Sequence, residues 1–124
     1  METKYAAHLV MAIKWRDGPQ PTIPLYENVR LVFADSDTDA HRLACALGRQ
    51  EEADLADDGL KWAGRPARYE FVGVRKLIEC RSADGENGRL GHGAEVTYSQ
   101  LAVRGEDDLK KFAAGQPVEV LYQE

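Results

Sequence analysis

The stretch from Phe33 to Val74 constrains this chain most, because the spacing of its apolar residues changes twice within it. It passes from an alternating segment into Asp35-Ser36-Asp37-Thr38-Asp39, then into residues spaced three and four apart that lead to Leu47-Gly48-Arg49 and an acidic tail. It returns to an extended pattern at Tyr69-Glu70-Phe71-Val72-Gly73-Val74. A period of two sends successive side chains to opposite faces of a strand, whereas a period of about 3.6 gathers one stripe on a helix. The frame is therefore strand, capped helix, strand. It contains no catalytic or metal-binding signature.

The helix start is chemically explicit. Ser36 can accept a hydrogen bond from an amide two or three residues on, and Asp39 can reach back to complete a capping box. Asp37 and Asp39 also suit the positive end of the helix dipole. Ala40, Leu43, Ala44 and Leu47 make one apolar stripe, and the two alanines allow close approach to a sheet. Gly48 either ends this helix or sits inside it. The residues that follow, Gln50-Glu51-Glu52-Ala53, are not turn formers, and Leu55 extends the stripe. The spacing favours continuation to about Asp54, at roughly 1 kcal/mol for the glycine.

Before the helix, Tyr5, Ala7, Leu9, Met11, Ile13 and Trp15 share one strand face, and Lys4, Ala6, His8, Val10, Ala12 and Lys14 share a mixed one. Asp17-Gly18-Pro19-Gln20-Pro21 breaks this strand, and Pro24 keeps the next residues out of regular pairing. Alternation resumes from Leu25 to Phe33, with Leu25, Val29, Leu31 and Phe33 on one side and Glu27 out of place among them. After the helix, Asp57-Asp58-Gly59 is a turn and Leu60 to Ala63 a short strand. Arg68 to Arg81 is a long central strand, with Tyr69, Phe71 and Leu77 on one face and Val72, Val74, Ile78 and Cys80 on the other. Gly73 marks a bulge or a close helix contact. A glycine-rich loop around Asp84-Gly85-Glu86-Asn87-Gly88 leads to a strand from Ala94 to Val103. A short helix from Glu106 to Ala114 follows, capped by Gly115. Val118, Val120 and Tyr122 imply a terminal strand.

The 124 residues suit one domain, 1–124, and apolar and charged fractions of 44% and 30% are globular values. A net charge of −5 repels phosphate backbones, so no nucleic-acid partner is expected. It leaves a basic protein partner open. No lysine and arginine cluster points to a membrane, and no run reaches the roughly 18 apolar residues of a spanning helix. Cys45 and Cys80 make neither a disulfide framework nor a zinc site, and read as small buried hydrophobes in a reducing compartment. The expected location is cytoplasmic.

Candidate chemistry is sparse. His8, His41 and His92 lie in three different elements without ligand spacing, so no metal and no cofactor is expected. His8 reads as a satisfied polar neighbour of the sheet, and His41 as a solvated helix residue. His92 stands between Gly91 and Gly93, where the backbone can turn tightly or come close to a ligand. The carboxylates Glu51, Glu52, Asp54, Asp57 and Asp58 read as a solvated face and turn. Arg65, Arg68 and Arg75 cluster near the central strand, where they either pair with that acidic run or hold an anion. With His92 they are the candidate ligand-binding residues; no catalytic residue stands out.

The segment Ala46-Leu47-Gly48-Arg49-Gln50-Glu51-Glu52, followed by Phe71-Val72-Gly73-Val74, resembles the bacterial domain of unknown function 4288 family. Trp62, Tyr69, Leu77 and Gly93-Ala94-Glu95-Val96-Thr97-Tyr98-Ser99 share that pattern, with His92-Gly93-Ala94 standing where the family has Asp-Gly-Thr. The resemblance covers about residues 4–103 and leaves 105–124 as an extension. It implies a compact α+β domain and supplies no activity, cofactor or site residue.

Together these readings predict a single α+β domain: an antiparallel sheet of about five or six strands, one long helix on one face, and a short C-terminal helix. Strands one and four keep apolar residues on their second face, which predicts a homodimer packed sheet to sheet. The function expected is a non-enzymatic protein-interaction module of the immunity or adaptor type. The alternative is a small-molecule or anion-binding domain built on Arg65, Arg68, Arg75 and His92.

Overall fold

The computed structural model describes residues 2–56, 59–80 and 91–122. The expected turn at Asp57-Asp58 and the loop around Asp84 to Gly88 lie outside them. Six strands form one antiparallel sheet among the described residues: β1 (Thr3–Trp15), β2 (Ile23–Ala34), β3 (Lys61–Trp62), β4 (Arg65–Cys80), β5 (Glu95–Val103) and β6 (Leu121–Tyr122). Helix α1 (Asp37–Asp54) follows β2, and α2 (Glu106–Ala113) follows β5. The strand order is β3-β4-β1-β2-β5-β6. β1 lies inside the sheet, between β4 and β2, and carries apolar residues on both faces. Val10 and Ala12 are as fully buried as Leu9 and Met11. Pro24 stands just outside the β1–β2 ladder, which ends at Ala12 opposite Leu25, and pairs instead beside Ala102 of β5.

The sheet divides the core in two. The odd residues of β1, Tyr5, Ala7, Leu9 and Met11, pack with Val32, Ala34, Ala40 and Ala44 under α1. The even residues Val10 and Ala12 pack with Ile23, Leu25, Leu101 and Val103 under Leu109, Phe112 and Ala113 of α2. Strict alternation fails on β4. Its register against β1 slips twice, between His8 and Leu9 and between Val10 and Met11. Each slip inserts one extra residue and reverses which side chains face α1. Val74, expected on the far side, therefore joins Tyr69, Phe71 and Leu77 beneath α1. Gly73 lies between the slips, where a Cβ would sit 3.7 Å from that of Ala113 in α2.

Helix α1 begins as its sequence demands. The Ser36 hydroxyl accepts from the Asp39 amide at 3.1 Å. Asp39 does not complete a capping box; its carboxylate accepts from Arg42 Nε at 3.1 Å. The residues that meet the sheet are Ala40, Ala44 and Gly48, spaced by four and all buried. Gly48 lies inside the helix, which runs on to Asp54. A Cβ at Gly48 would fall 2.3 Å from the Phe71 ring, so only glycine lets the helix rest on that ring.

Helix α2 covers only the half of its face near Val10 and Leu25. Among the described residues, Ala6, Val29, Leu31 and Phe33 are left half-buried beyond it, and Ile78 is 47% exposed. Cys45 and Cys80 are free and half-buried rather than buried. Gly48→Ala should destabilise the domain by about 1–2 kcal/mol, the overpacking against Phe71 outweighing alanine's better helix propensity. A urea-denaturation midpoint equal to or above that of the parent would show that α1 can move off the sheet without cost.

Candidate functional site

Beyond Gly48 the last turns of α1 lie over the sheet beside β4 and β2, and polar side chains replace the apolar stripe. Glu51 is the hub. Its Oε2 accepts from Asn28 Nδ2 at 3.1 Å and from the Tyr69 hydroxyl at 3.0 Å. Its Oε1 accepts from Arg30 Nη1 at 3.2 Å. Asn28 is buried and points up from β2 because its neighbours Tyr26 and Arg30 occupy the same face of that strand. Arg30 also donates through Nε to the Gly93 carbonyl at 2.9 Å, which ties the start of β5 to the helix. Gly93 has φ +85°, so the chain turns there in a way that L side chains resist.

Around this hub lies an open groove. One cavity of about 230 Å³ is lined by Tyr26, Asn28, Glu51, Tyr69, Glu95 and Tyr98. A second of about 350 Å³ shares Glu51 and Glu95 and adds Arg30, Leu47, Gln50 and Asp54. A third, apolar space of about 260 Å³ shares Tyr26 and Tyr69 and is closed by Ile13, Leu55 and Leu60. Tyr26 forms the corner between the other two rings. Its centroid is 6.3 Å from Tyr69 and 5.8 Å from Tyr98, at interplanar angles of 57° and 60°. Glu95 reaches this face through a further register slip, between Val29 and Arg30, which pushes Val96 out of the alternation.

The electrostatics of the groove are unbalanced. Burial, and then the Glu51 carboxylate beside it, push the Tyr69 hydroxyl well above the ordinary tyrosine range. It therefore stays a proton donor to Glu51. Burial and repulsion from Glu51 raise Glu95 above the ordinary carboxylate value, against a weaker opposing pull from Arg30. Arg30 is already engaged by Glu51, so Glu95 has no cation in contact among the described residues.

The residues singled out from sequence lie elsewhere and apart. Arg65 stacks on Trp15 at 3.9 Å and donates to the Asp17 carbonyl. Arg68 pairs with Glu70 at 3.2 Å, and Lys14 meets the same carboxylate at 2.9 Å. Burial would raise Glu70, but those two cations bring it below the ordinary carboxylate value. Arg75 lies over the Phe112 ring at 4.2 Å and donates to the Phe112 carbonyl. His92 Nδ1 accepts from the Phe33 amide at 3.0 Å and its ring meets the edge of Phe33. Each of the four is committed to a different partner. His8 is held by Glu27 at 2.9 Å, which explains why Glu27 interrupts the apolar alternation of β2.

Of the acidic run expected to be a solvated face, Asp54 is exposed, Asp57 and Asp58 lie outside the described residues, and Glu51 and Glu52 are instead half-buried and engaged. Glu51 sits at the hub, and Glu52 Oε1 accepts from the Phe71 amide at 2.7 Å. That bond occupies an outward-facing donor on β4, beyond the two-residue reach of β3. The groove residues Tyr26, Asn28 and Arg30 gave no motif, and Tyr69 and Tyr98 entered only as strand residues and through the family pattern, with no role attached. One sequence signal existed: Asn28 and Arg30 are polar residues on consecutive same-face positions of an otherwise apolar strand.

The fold is a small α+β domain with a helix on each face of one antiparallel sheet. The chain belongs to the family described as Domain of unknown function (DUF4288), whose model matches residues 4–99. That span holds β1 to β4, α1 and most of the groove, while α2 and β6 lie beyond it. No curated protein and no solved structure matches the chain.

The raised Glu95 value has a consequence for stability. The folded state holds this proton more tightly than the unfolded chain does. Its favourable contribution is therefore complete below the unfolded carboxylate value and is lost as pH rises through the folded one. Glu95→Gln, a neutral mimic, should be more stable than the parent at about pH 7, with the gap closing at about pH 3.5. Equal denaturation midpoints at both pH values would remove the charge tension from the groove.

Proposed function

We propose that this domain is a non-enzymatic binding module that takes a basic segment of a partner protein in the groove between the end of α1 and β5. The observation that carries the reading is the convergence of Tyr26, Tyr69 and Tyr98 with Glu51, Glu95 and Asp54 around Arg30, the one arginine among the described residues lining these cavities. Aromatic rings beside carboxylates suit a cation on a side chain. The overall charge of −5 favours encounter with a basic partner. The binding reading also draws support from what Glu51 and Tyr69 are doing: both are held in mutual hydrogen bonds, which suits a rigid wall better than a proton-transfer pair. β6 pairs only with Leu101 and Ala102, so the β5 edge from Glu95 to Gln100 has no strand partner among the described residues. An extended peptide can lie along that edge with its side chains beside the groove.

Short lysine- and arginine-containing peptides titrated into labelled protein should shift amide resonances of Tyr26, Asn28, Glu51 and Tyr98. Tyr98→Ala should weaken binding by roughly tenfold, as loss of an aromatic anchor does. Shifts confined to another face, or none, would reject the groove as the binding surface.

The cytoplasmic setting and the homodimer belong to the same proposal. The apolar strip of Ala6, Val29, Leu31 and Phe33, with exposed Ile78, favours a second copy packed on the half of this face that α2 does not cover. Light scattering at micromolar concentration should give twice the 13.8 kDa chain mass, and Ile78→Asp should return it to monomer. A monomer mass for the parent across that range would reject the dimer.

A further inference from the structure

The groove's remaining chemistry bears on which cation it takes, an inference that rests on the binding reading above. Glu51 has both oxygens occupied, by Arg30 on one side and by Asn28 and Tyr69 on the other. Arg30 is spent on Glu51 and the Gly93 carbonyl. A ligand entering the smaller cavity therefore meets three tyrosine rings, the Asn28 amide and two carboxylates: Glu51, whose oxygens already accept from Asn28, Tyr69 and Arg30, and Glu95, which accepts no hydrogen bond among the described residues.

That inventory discriminates between cations. A primary ammonium brings three N–H donors and a guanidinium five. Each donor taken from water without an acceptor costs free energy. One free carboxylate leaves most of them unmatched. A fully methylated ammonium has no N–H to satisfy and spreads its charge over methyl groups. It is held by ring faces and by a negative charge that need not touch it. The corner at Tyr26 presents two tilted rings to one point, and Tyr98, 57% exposed, stands at the mouth. A volume of about 230 Å³ is large enough for a head group of this kind, and the cavity is open to solvent where Glu95 and Tyr98 are exposed.

We propose that Tyr26, Tyr69, Tyr98 and Glu95 form a binding site for a methylated ammonium group, carried on a lysine side chain or on a small free cation. The rings supply the walls, and Glu95 supplies the counter-charge.

The test compares three probes by calorimetry and amide resonance shifts on the full chain: a short peptide with one trimethyllysine, the same peptide with unmodified lysine, and choline. The trimethyllysine peptide should bind roughly tenfold or more tightly than its unmodified twin. Tyr98→Phe should retain that preference, because the ring face and not the hydroxyl is used, while Tyr98→Ala should abolish it. Glu95→Gln should weaken all three probes several-fold. Tyr98 is exposed, so its variants should keep the parent's denaturation midpoint, and that midpoint is the check on folding. Choline binding as tightly as the trimethyllysine peptide identifies a small-cation site, and a clear preference for the peptide identifies a protein site; either supports the proposal. Equal affinity for the methylated and unmodified peptides in the groove overturns methyl selectivity and leaves the binding module standing. Binding of no probe in the groove overturns both.

Discussion

The contact between Gly48 and the Phe71 ring is the constraint on which the rest of this structure depends. Helices ordinarily stand off from a sheet because side chains lie between them. Here Ala40, Ala44 and Gly48 remove that layer along one line of α1, and Phe71 fills the space a Cβ would need. The helix is thereby held low over β4 and β1. Its next turn then brings Glu51 within hydrogen-bond reach of Asn28, Arg30 and Tyr69 on two different strands. A higher helix would leave that carboxylate short of all three.

The groove follows from this docking and from a change of chemistry along α1. The first turns bury alanines, while the last turns present Glu51, Glu52 and Asp54. A charged group brought near a sheet needs partners, and β2 supplies them in Asn28 and Arg30, on the face where Val32 and Ala34 are apolar. The consequence is a rigid polar centre flanked by tyrosines. Glu95 remains beside it, repelled by its neighbour Glu51 and with no cation in contact among the described residues.

The two faces of the sheet are managed differently. On the α1 side an eighteen-residue helix covers three strands. On the other, eight residues of α2 cover the end near Leu25, and ion pairs of Lys14 with Glu70 and Glu106, and the polar contact of His8 with Glu27, occupy positions flanking it. The edges differ too. β4 has its Phe71 amide occupied by Glu52, whereas β5 beyond β6 carries exposed Val96 and Tyr98. The groove opens towards that barer edge.

Local chemistry made much of the fold legible in the sequence. Ser36 marks the start of α1, the alternation of Tyr5 to Trp15 marks a strand, and Gln50 to Ala53 carry the helix past Gly48, because caps and periods act over a few residues. The family resemblance was legible for the same reason, being carried by short structural motifs. The site was not. The acidic run looked like a solvated face because sequence shows charge without showing what stands across from it. Arg65, Arg68 and Arg75 looked like a cluster because they are close along the chain, yet each turns to a partner 37 to 48 residues away or to its strand neighbour. Two register slips on β4 and one on β5 decided which face Val74 and Glu95 occupy; Gly73 marked an irregularity on β4 without showing which side chains it turns, and Val96 gave no such mark on β5. Sequence by itself determined the elements and their order, because those rest on neighbours in the chain. Only the tertiary structure decided that Tyr26, Tyr69, Tyr98, Glu51 and Glu95 share one groove, because that depends on strand register and on how low one glycine lets a helix lie.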